Sequence, residues 1–180
     1  MKKFFFILTF ICFSILNSYA DIINELKVTN NKRISEATII TYGQIELGKN
    51  YNQDELNKII KNLYETNFFK DISLNIDNNI LFINVVENKI IQSVIIEGVK
   101  SQRIQKAILK NLFSKDKAPF LIEKVKIDQT RISTSLDFLG YYMSSVNSKI
   151  IENDNDTVDL VFNIDLGKKS KIAKLEFIGD

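Results

Sequence analysis

The sequence has 180 residues, of which 45% are hydrophobic and 26% charged, with a formal net charge of +2. Those proportions belong to a globular chain of one large or two small domains, and one proline with six glycines leaves no room for a long flexible linker. The absence of histidine excludes a Ser-His-Asp relay and a His-ligated zinc site, and no cluster of basic residues interleaved with aromatics marks a nucleic-acid surface.

Met1-Lys2-Lys3, the apolar run from Phe4 to Leu16, and the small residues Ser18 and Ala20 form the pattern of a cleaved signal peptide over residues 1–20. The run is too short to span a bilayer comfortably. Cleavage removes Cys12, the single cysteine, and with it any cysteine nucleophile or disulfide. It also removes Lys2 and Lys3, so the 24 basic residues fall to 22 against 22 acidic ones, and binding steered by bulk charge is not expected.

Beyond the leader, Ile22 to Val28 reads as a short strand ending at Asn30-Asn31. Ser35 is placed to cap a brief helix carrying Ala37, Ile39 and Ile40, after which Gly43 and Gly48 bracket a loop. Asn52 with Glu55 three residues on predicts a capping box, and Tyr51 with Leu56 a hydrophobic staple. Leu56, Ile59, Ile60 and Leu63 then recur at helical spacing, and Asn67 is suited to a left-handed stop that folds Phe68 back onto Leu63. Ile72, Leu74 and Ile76 alternate with Ser73, Asn75 and Asp77, the period of a half-buried strand. Asp77-Asn78-Asn79 is a hairpin turn, and the nearly all-apolar Ile80 to Val86 reads as a central strand.

The order then recurs. Ile90 to Glu97 predicts a strand stopped by Gly98, and Ser101 to Leu112 a helix with Ile104, Ala107, Ile108 and Leu112 inward. Val125, Ile132, Leu136 and Leu139 mark a second helix face ended by Gly140. Tyr142 to Ile151 and Thr157 to Ile164 predict paired strands joined by a turn at Asn153-Asp154-Asn155-Asp156. That acidic run starts like a calcium loop but lacks its central glycine and terminal glutamate, so it reads as a solvated turn. Corresponding features lie about 70 residues apart, the period of a small repeated module. Ile172 to Gly179 opens like a third copy, so the chain is expected to be part of a longer one.

The repeated order β-α-α-β-β in an exported chain resembles the polypeptide-transport-associated (POTRA) family, as it occurs in outer-membrane protein assembly factors. Leu26 to Ile34, Leu63 to Ile72, Val85-Val86-Glu87-Asn88, Ile95 to Gly98 and Glu176 to Gly179 carry the resemblance. Asn30 stands where the family often has glycine, and Lys89 where a proline commonly follows the junction. The resemblance implies an α+β fold of tandem POTRA modules, each a three-stranded mixed sheet backed by two helices. It divides the chain into module 1 (21–88), module 2 (89–167) and the start of module 3 (168–180). It implies a non-enzymatic arm, without cofactor or metal, on the periplasmic face of the outer membrane. Its partners would be unfolded outer-membrane protein precursors and accessory assembly lipoproteins. Membrane association would come through a C-terminal β-barrel outside this sequence, and no nucleic acid is involved. Translocation proteins and two-partner secretion transporters of the same superfamily are the alternative, and the start of a third module counts against the transporters.

With the all-apolar third strand central, the second strand of each module becomes a sheet edge, open to strand addition by an extended client. The candidate edges are Ile72, Ser73, Leu74, Asn75 and Ile76 in module 1. In module 2 the edge runs from about Ser144 to Ile151 and includes Ser145, Val146, Asn147, Ser148, Lys149 and Ile150.

Overall fold

The computed structural model describes residues 21–171 and 176, so the leader and most of the third repeat's opening lie outside the described residues. Backbone contacts divide the chain into two compact units that meet between Val86 and Glu87. Among the described residues no helix is long and apolar enough to cross a membrane.

The first unit opens with β1 (Asp21–Ile23) and β2 (Glu25–Thr29), two short strands where one continuous run was expected. The break comes at Asn24, whose N–H turns to the Asn79 carbonyl (2.9 Å), while β1 pairs with β3 (Lys49–Tyr51), a strand between the Gly43–Gly48 loop and the Asn52 cap where none was expected. Between them α1 (Glu36–Gly43) starts at Ser35, whose hydroxyl accepts from the Thr38 N–H at 3.2 Å. The best-specified helix, α2 (Gln53–Glu65), has its capping box in place: Asn52 Oδ1 accepts from the Glu55 N–H and Glu55 Oε2 from the Asn52 N–H, both at 3.0 Å. Asn67 takes the left-handed conformation (φ 60°), and Phe68 packs against the core that contains Leu63.

Next, β4 (Phe69–Asp77) and β5 (Ile80–Glu87) follow as a hairpin, and the sheet order β2-β5-β4 puts the apolar β5 in the middle, parallel to β2. Leu81, Ile83 and Val85 of β5 are fully buried against Ile39, Ile59 and Leu63 of the two helices. One face of the sheet is thus core, and the other carries Ser73 and Asn75, both exposed.

The second unit repeats the plan with β6 (Ile90–Glu97), α3 (Gln102–Asn111), α4 (Ile122–Phe138), β7 (Ser145–Glu152) and β8 (Thr157–Asp165), in the sheet order β6-β8-β7. Central again is the all-apolar strand, β8, with Val158, Leu160 and Phe162 fully buried. Three local expectations change. Ala107 is exposed, because Ile104, Ile108 and Leu112 complete the α3 stripe with Leu109 on its flank. Leu139 is exposed beyond the last turn of α4. Tyr142 to Ser144 is a turn closed by the Ser144 N–H to the Tyr141 carbonyl (3.2 Å), so the strand begins at Ser145.

Candidate functional site

An edge strand can accept another strand only through backbone groups that face away from its neighbour, and in antiparallel pairs those belong to alternate residues. The β4–β5 turn settles which residues these are in the first unit. Asn78 and Asn79 both have positive φ (49° and 64°), the requirement of a two-residue type I′ turn. Such a turn closes on Asp77 and Ile80 and sets Ser73 opposite Asn84, in agreement with the Asn84 Nδ2 to Ser73 Oγ contact at 3.5 Å. Asp77, Asn75 and Ser73 then bond to β5, while Ile76, Leu74 and Ile72 turn their N–H and C=O outward. The Ile72 N–H confirms the phase by donating to the Tyr64 hydroxyl at 3.2 Å. That bond occupies one end of the edge, and the open part is Leu74 and Ile76.

The register of β7 on β8 runs from Ser145 opposite Asp165 to Glu152 opposite Val158. One step further, the Asn153 N–H donates to the Thr157 carbonyl at 3.0 Å, which makes that pair a bonded one. By alternation Ser145, Asn147, Lys149 and Ile151 bond to β8, and Val146, Ser148, Ile150 and Glu152 face outward. Gln129 on α4 agrees, since its Nε2 donates to the Val146 carbonyl at 3.3 Å. Side chains follow the same alternation: Val146, Ser148 and Ile150 are half-buried over the helices, whereas Asn147 and Lys149 are exposed. An added strand would therefore meet mainly backbone.

The residues proposed as edges thus fall into two sets, one per unit, and each set divides by alternation. Leu74, Ile76, Ser148 and Ile150 offer outward backbone. Ser73, Asn75, Ser145, Asn147 and Lys149 hold the sheet together, and Ile72 and Val146 are each engaged by a side chain. Ser144 lies outside the strand.

Sequence reasoning did not foresee what the connection between the two helices does in each unit. In the first unit β3 pairs with β1, and the Gly48 N–H donates to the Ile23 carbonyl at 2.7 Å. In the second unit the α3–α4 connection lies along β6. Lys117 N–H donates to the Ile91 carbonyl (2.7 Å), Ile91 N–H to the Ala118 carbonyl (2.9 Å) and Phe120 N–H to the Lys89 carbonyl (2.8 Å). Asp116 Oδ1 takes the Val94 N–H at 2.8 Å.

Two carboxylates are held below their ordinary range. Glu55 is lowered first by the Asn52 N–H and then by Lys49, whose ammonium lies 3.2 Å away and is itself raised by this contact. Asp159 is lowered first by the Ser93 hydroxyl and then by the Asn153 amide, a tie between β6, β8 and the hairpin turn. Both pairings fasten strands and turns rather than present a reactive group. Among the described residues no group of acidic side chains is arranged to hold a metal ion. The acidic run at 153–156 is a hairpin turn, with Asp156 at positive φ (57°).

Residues 89–167 match the family model described as POTRA, surface antigen variable number repeat. Over 162 residues, 90% of this chain, the sequence is 29% identical to the outer membrane protein assembly factor BamA of Neorickettsia risticii. Over 161 residues it is 29% identical to BamA of Neisseria meningitidis serogroup B. The chain spans about a fifth of the length of these curated relatives (22% and 20%). Among solved structures, the N-terminal domain of Omp85 from Thermosynechococcus elongatus superposes with a TM-score of 0.53 at 14% identity, covering 81% of this chain and 63% of that one. That likeness is one of fold.

Proposed function

From the premise that this chain is built of POTRA modules and is similar to the corresponding region of outer-membrane protein assembly factors, we propose that it is a periplasmic client-handling arm. It receives extended segments of unfolded outer-membrane barrel precursors by strand addition at β4 and β7, on the way to their insertion. Barrel insertion itself would belong to a membrane domain outside these residues, with accessory assembly lipoproteins docking on the same arm. The chain works by binding and not by catalysis.

The observation that carries this reading is that β4 and β7 each end their sheet, while the opposite edge of the second sheet is covered. β6 is covered along its start by the connection between the helices, whereas β4 and β7 end their sheets with outward backbone at Leu74 and Ile76 and at Ser148 and Ile150. Strand addition draws its affinity from main-chain hydrogen bonds. It therefore reads little of the client's side-chain identity, as a factor serving many different barrels requires.

Leu74→Pro tests it, with Leu74→Ala as the control for lost packing. Proline removes one outward donor from β4 without touching its ladder to β5. A photo-crosslinker at exposed Asn75 should capture precursor in the wild type and in Leu74→Ala, and roughly fivefold less in Leu74→Pro, as loss of about 1 kcal/mol implies. Equal capture by all three folded proteins would sink strand addition at β4.

A further inference from the structure

We propose that Asp128 is a positioning residue: it latches the α3–α4 connection over the outer edge of β6 and so directs an added strand to β7. The inference rests on the strand-addition reading and goes beyond it by naming what closes the competing edge.

Asp128 is fully buried on the inner face of α4, between Val125 and Ile132. An ionised carboxylate in such a place is costly unless its oxygens are satisfied. Here each oxygen accepts one backbone N–H, Phe113 to Oδ1 and Ser114 to Oδ2, both at 2.7 Å. Charge-assisted bonds of this length are among the stronger ones a side chain makes to backbone. They fix the connection where it leaves α3. Ser114 is itself buried, the Arg131 guanidinium lies 4.3 Å over the Phe113 ring, and the Lys115 ammonium donates to the Leu109 and Lys110 carbonyls at the end of α3. Two residues after Ser114 the covering segment begins. Asp116, Lys117, Ala118 and Phe120 take up outward groups of Val94, Ile91 and Lys89.

The other repeat supplies an internal control. Asp128 lies 73 residues after Glu55, the spacing that also relates Leu136 to Leu63. Glu55 grips its own connection through the Asn52 N–H and the Lys49 ammonium, and Lys49 belongs to the strand that pairs with β1. At one position of both repeats, a carboxylate on the second helix holds the connection between the helices, which pairs with β1 in the first unit and lies along β6 in the second. In module 2 the carboxylate itself is fully buried.

The test uses the full chain and a synthetic strand-forming peptide of alternating Val and Thr flanked by Lys. Asp128→Asn keeps the shape but leaves one acceptor for two donors. Amide exchange at Ile91, Val94 and Phe120 should quicken at least tenfold, while Asn147 and Lys149, bonded to β8, keep their wild-type rates. A photo-crosslinker at Ile95 on β6 should then capture the peptide, which it does not in the wild type. Unchanged exchange at Ile91 and Val94 overturns the latch, as does faster exchange without capture at Ile95. Should Asp128→Asn loosen β7 and β8 equally, Asp116→Ala decides. It should free only the Val94 amide and still permit capture at Ile95, and absence of capture there is fatal. If a crosslinker at Lys149 on β7 fails to capture the peptide in the wild type, the strand-addition reading falls. The exchange at Ile91 and Val94 would still decide whether Asp128 closes β6.

Discussion

Proline at adjacent positions of β7 should have opposite consequences, because neighbouring N–H groups point to opposite sides. Asn147 stands opposite Asn163 and by alternation donates to β8. Asn147→Pro removes a ladder bond worth about 1 kcal/mol and leaves a β8 carbonyl without its donor, a further loss of about 1–3 kcal/mol. The total of roughly 2–4 kcal/mol is a large part of what holds a small domain together. Ser148 faces outward, where its N–H meets water. Ser148→Pro should cost about 1 kcal/mol or less, partly offset by the lower entropy of the unfolded chain. Both side chains are small and neither fills the buried core, so packing contributes little to the difference. In urea, with a slope of about 1–3 kcal/mol per molar, Asn147→Pro should lower the midpoint of the second unit by about 1 M or more. Ser148→Pro should leave it nearly in place while weakening precursor capture by a crosslinker at Lys149. Comparable destabilisation by the two variants would refute the phase assigned to β7, and with it the identity of the docking groups.

Acid should act through the first unit's capping box. The folded Glu55 carboxyl is held below its ordinary range, so the stability it contributes is present above the unfolded pKa of about 4.3 and is lost as pH falls through the lower folded value. Glu55→Gln should flatten the pH dependence of the first unit's melting point in that window and leave the second unit's unchanged; calorimetry from pH 6 to 3 reads both. Gly98→Ala should be far more damaging than a glycine change on a surface turn. Gly98 has φ +83°, and a Cβ there would lie 1.8 Å from the Ile164 carbonyl oxygen. No side-chain rotation relieves a clash with backbone, so circular dichroism should show the second unit's transition lost or shifted by more than about 10 °C, whereas an alanine at Gly48 (φ +80°), with open space around it, should cost the first unit only the strain of its left-handed backbone, a smaller shift.

The fold was legible in the sequence where local and tertiary signals agree. The capping box of Asn52 and Glu55, the two consecutive asparagines at the β4–β5 turn, and the apolar runs that became β5 and β8 all satisfy short-range rules that long-range packing then reinforces. The edges were legible for the same reason, since only a central strand needs apolar side chains at nearly every position. The phase of those edges was not, because a single unpaired strand carries no mark of which amides its neighbour will use. It took a turn, a tyrosine hydroxyl and a glutamine amide to reveal it. The covering segments were missed because β3 is three residues long and the 117–120 stretch pairs only irregularly, below the length at which alternation can be seen. Asp128 did leave a signal: an acidic residue three after Val125 and four before Ile132 lies on the apolar stripe, where a charge must find partners.

The extent of the open edges bears on how such an arm would work. Leu74 and Ile76 offer one N–H and one C=O each, and Ser148 and Ile150 the same. At about 0.5–1.5 kcal/mol net per bond, either pair supplies roughly 2–6 kcal/mol. Association costs about 4–15 kcal/mol in lost freedom, so one edge alone holds an extended client weakly. The Tyr64 and Gln129 side chains shorten each edge further by engaging Ile72 and Val146. Weak single edges suit a carrier that must release what it binds, and repetition restores retention. A client held at one edge would meet the next on the same chain rather than from solution, so two weak sites together would outlast either alone. On the proposed function, the tandem repeat would be a requirement of edge binding. A chain carrying only one of its two edges, through Leu74→Pro or Ser148→Pro, should lose more client residence time than half.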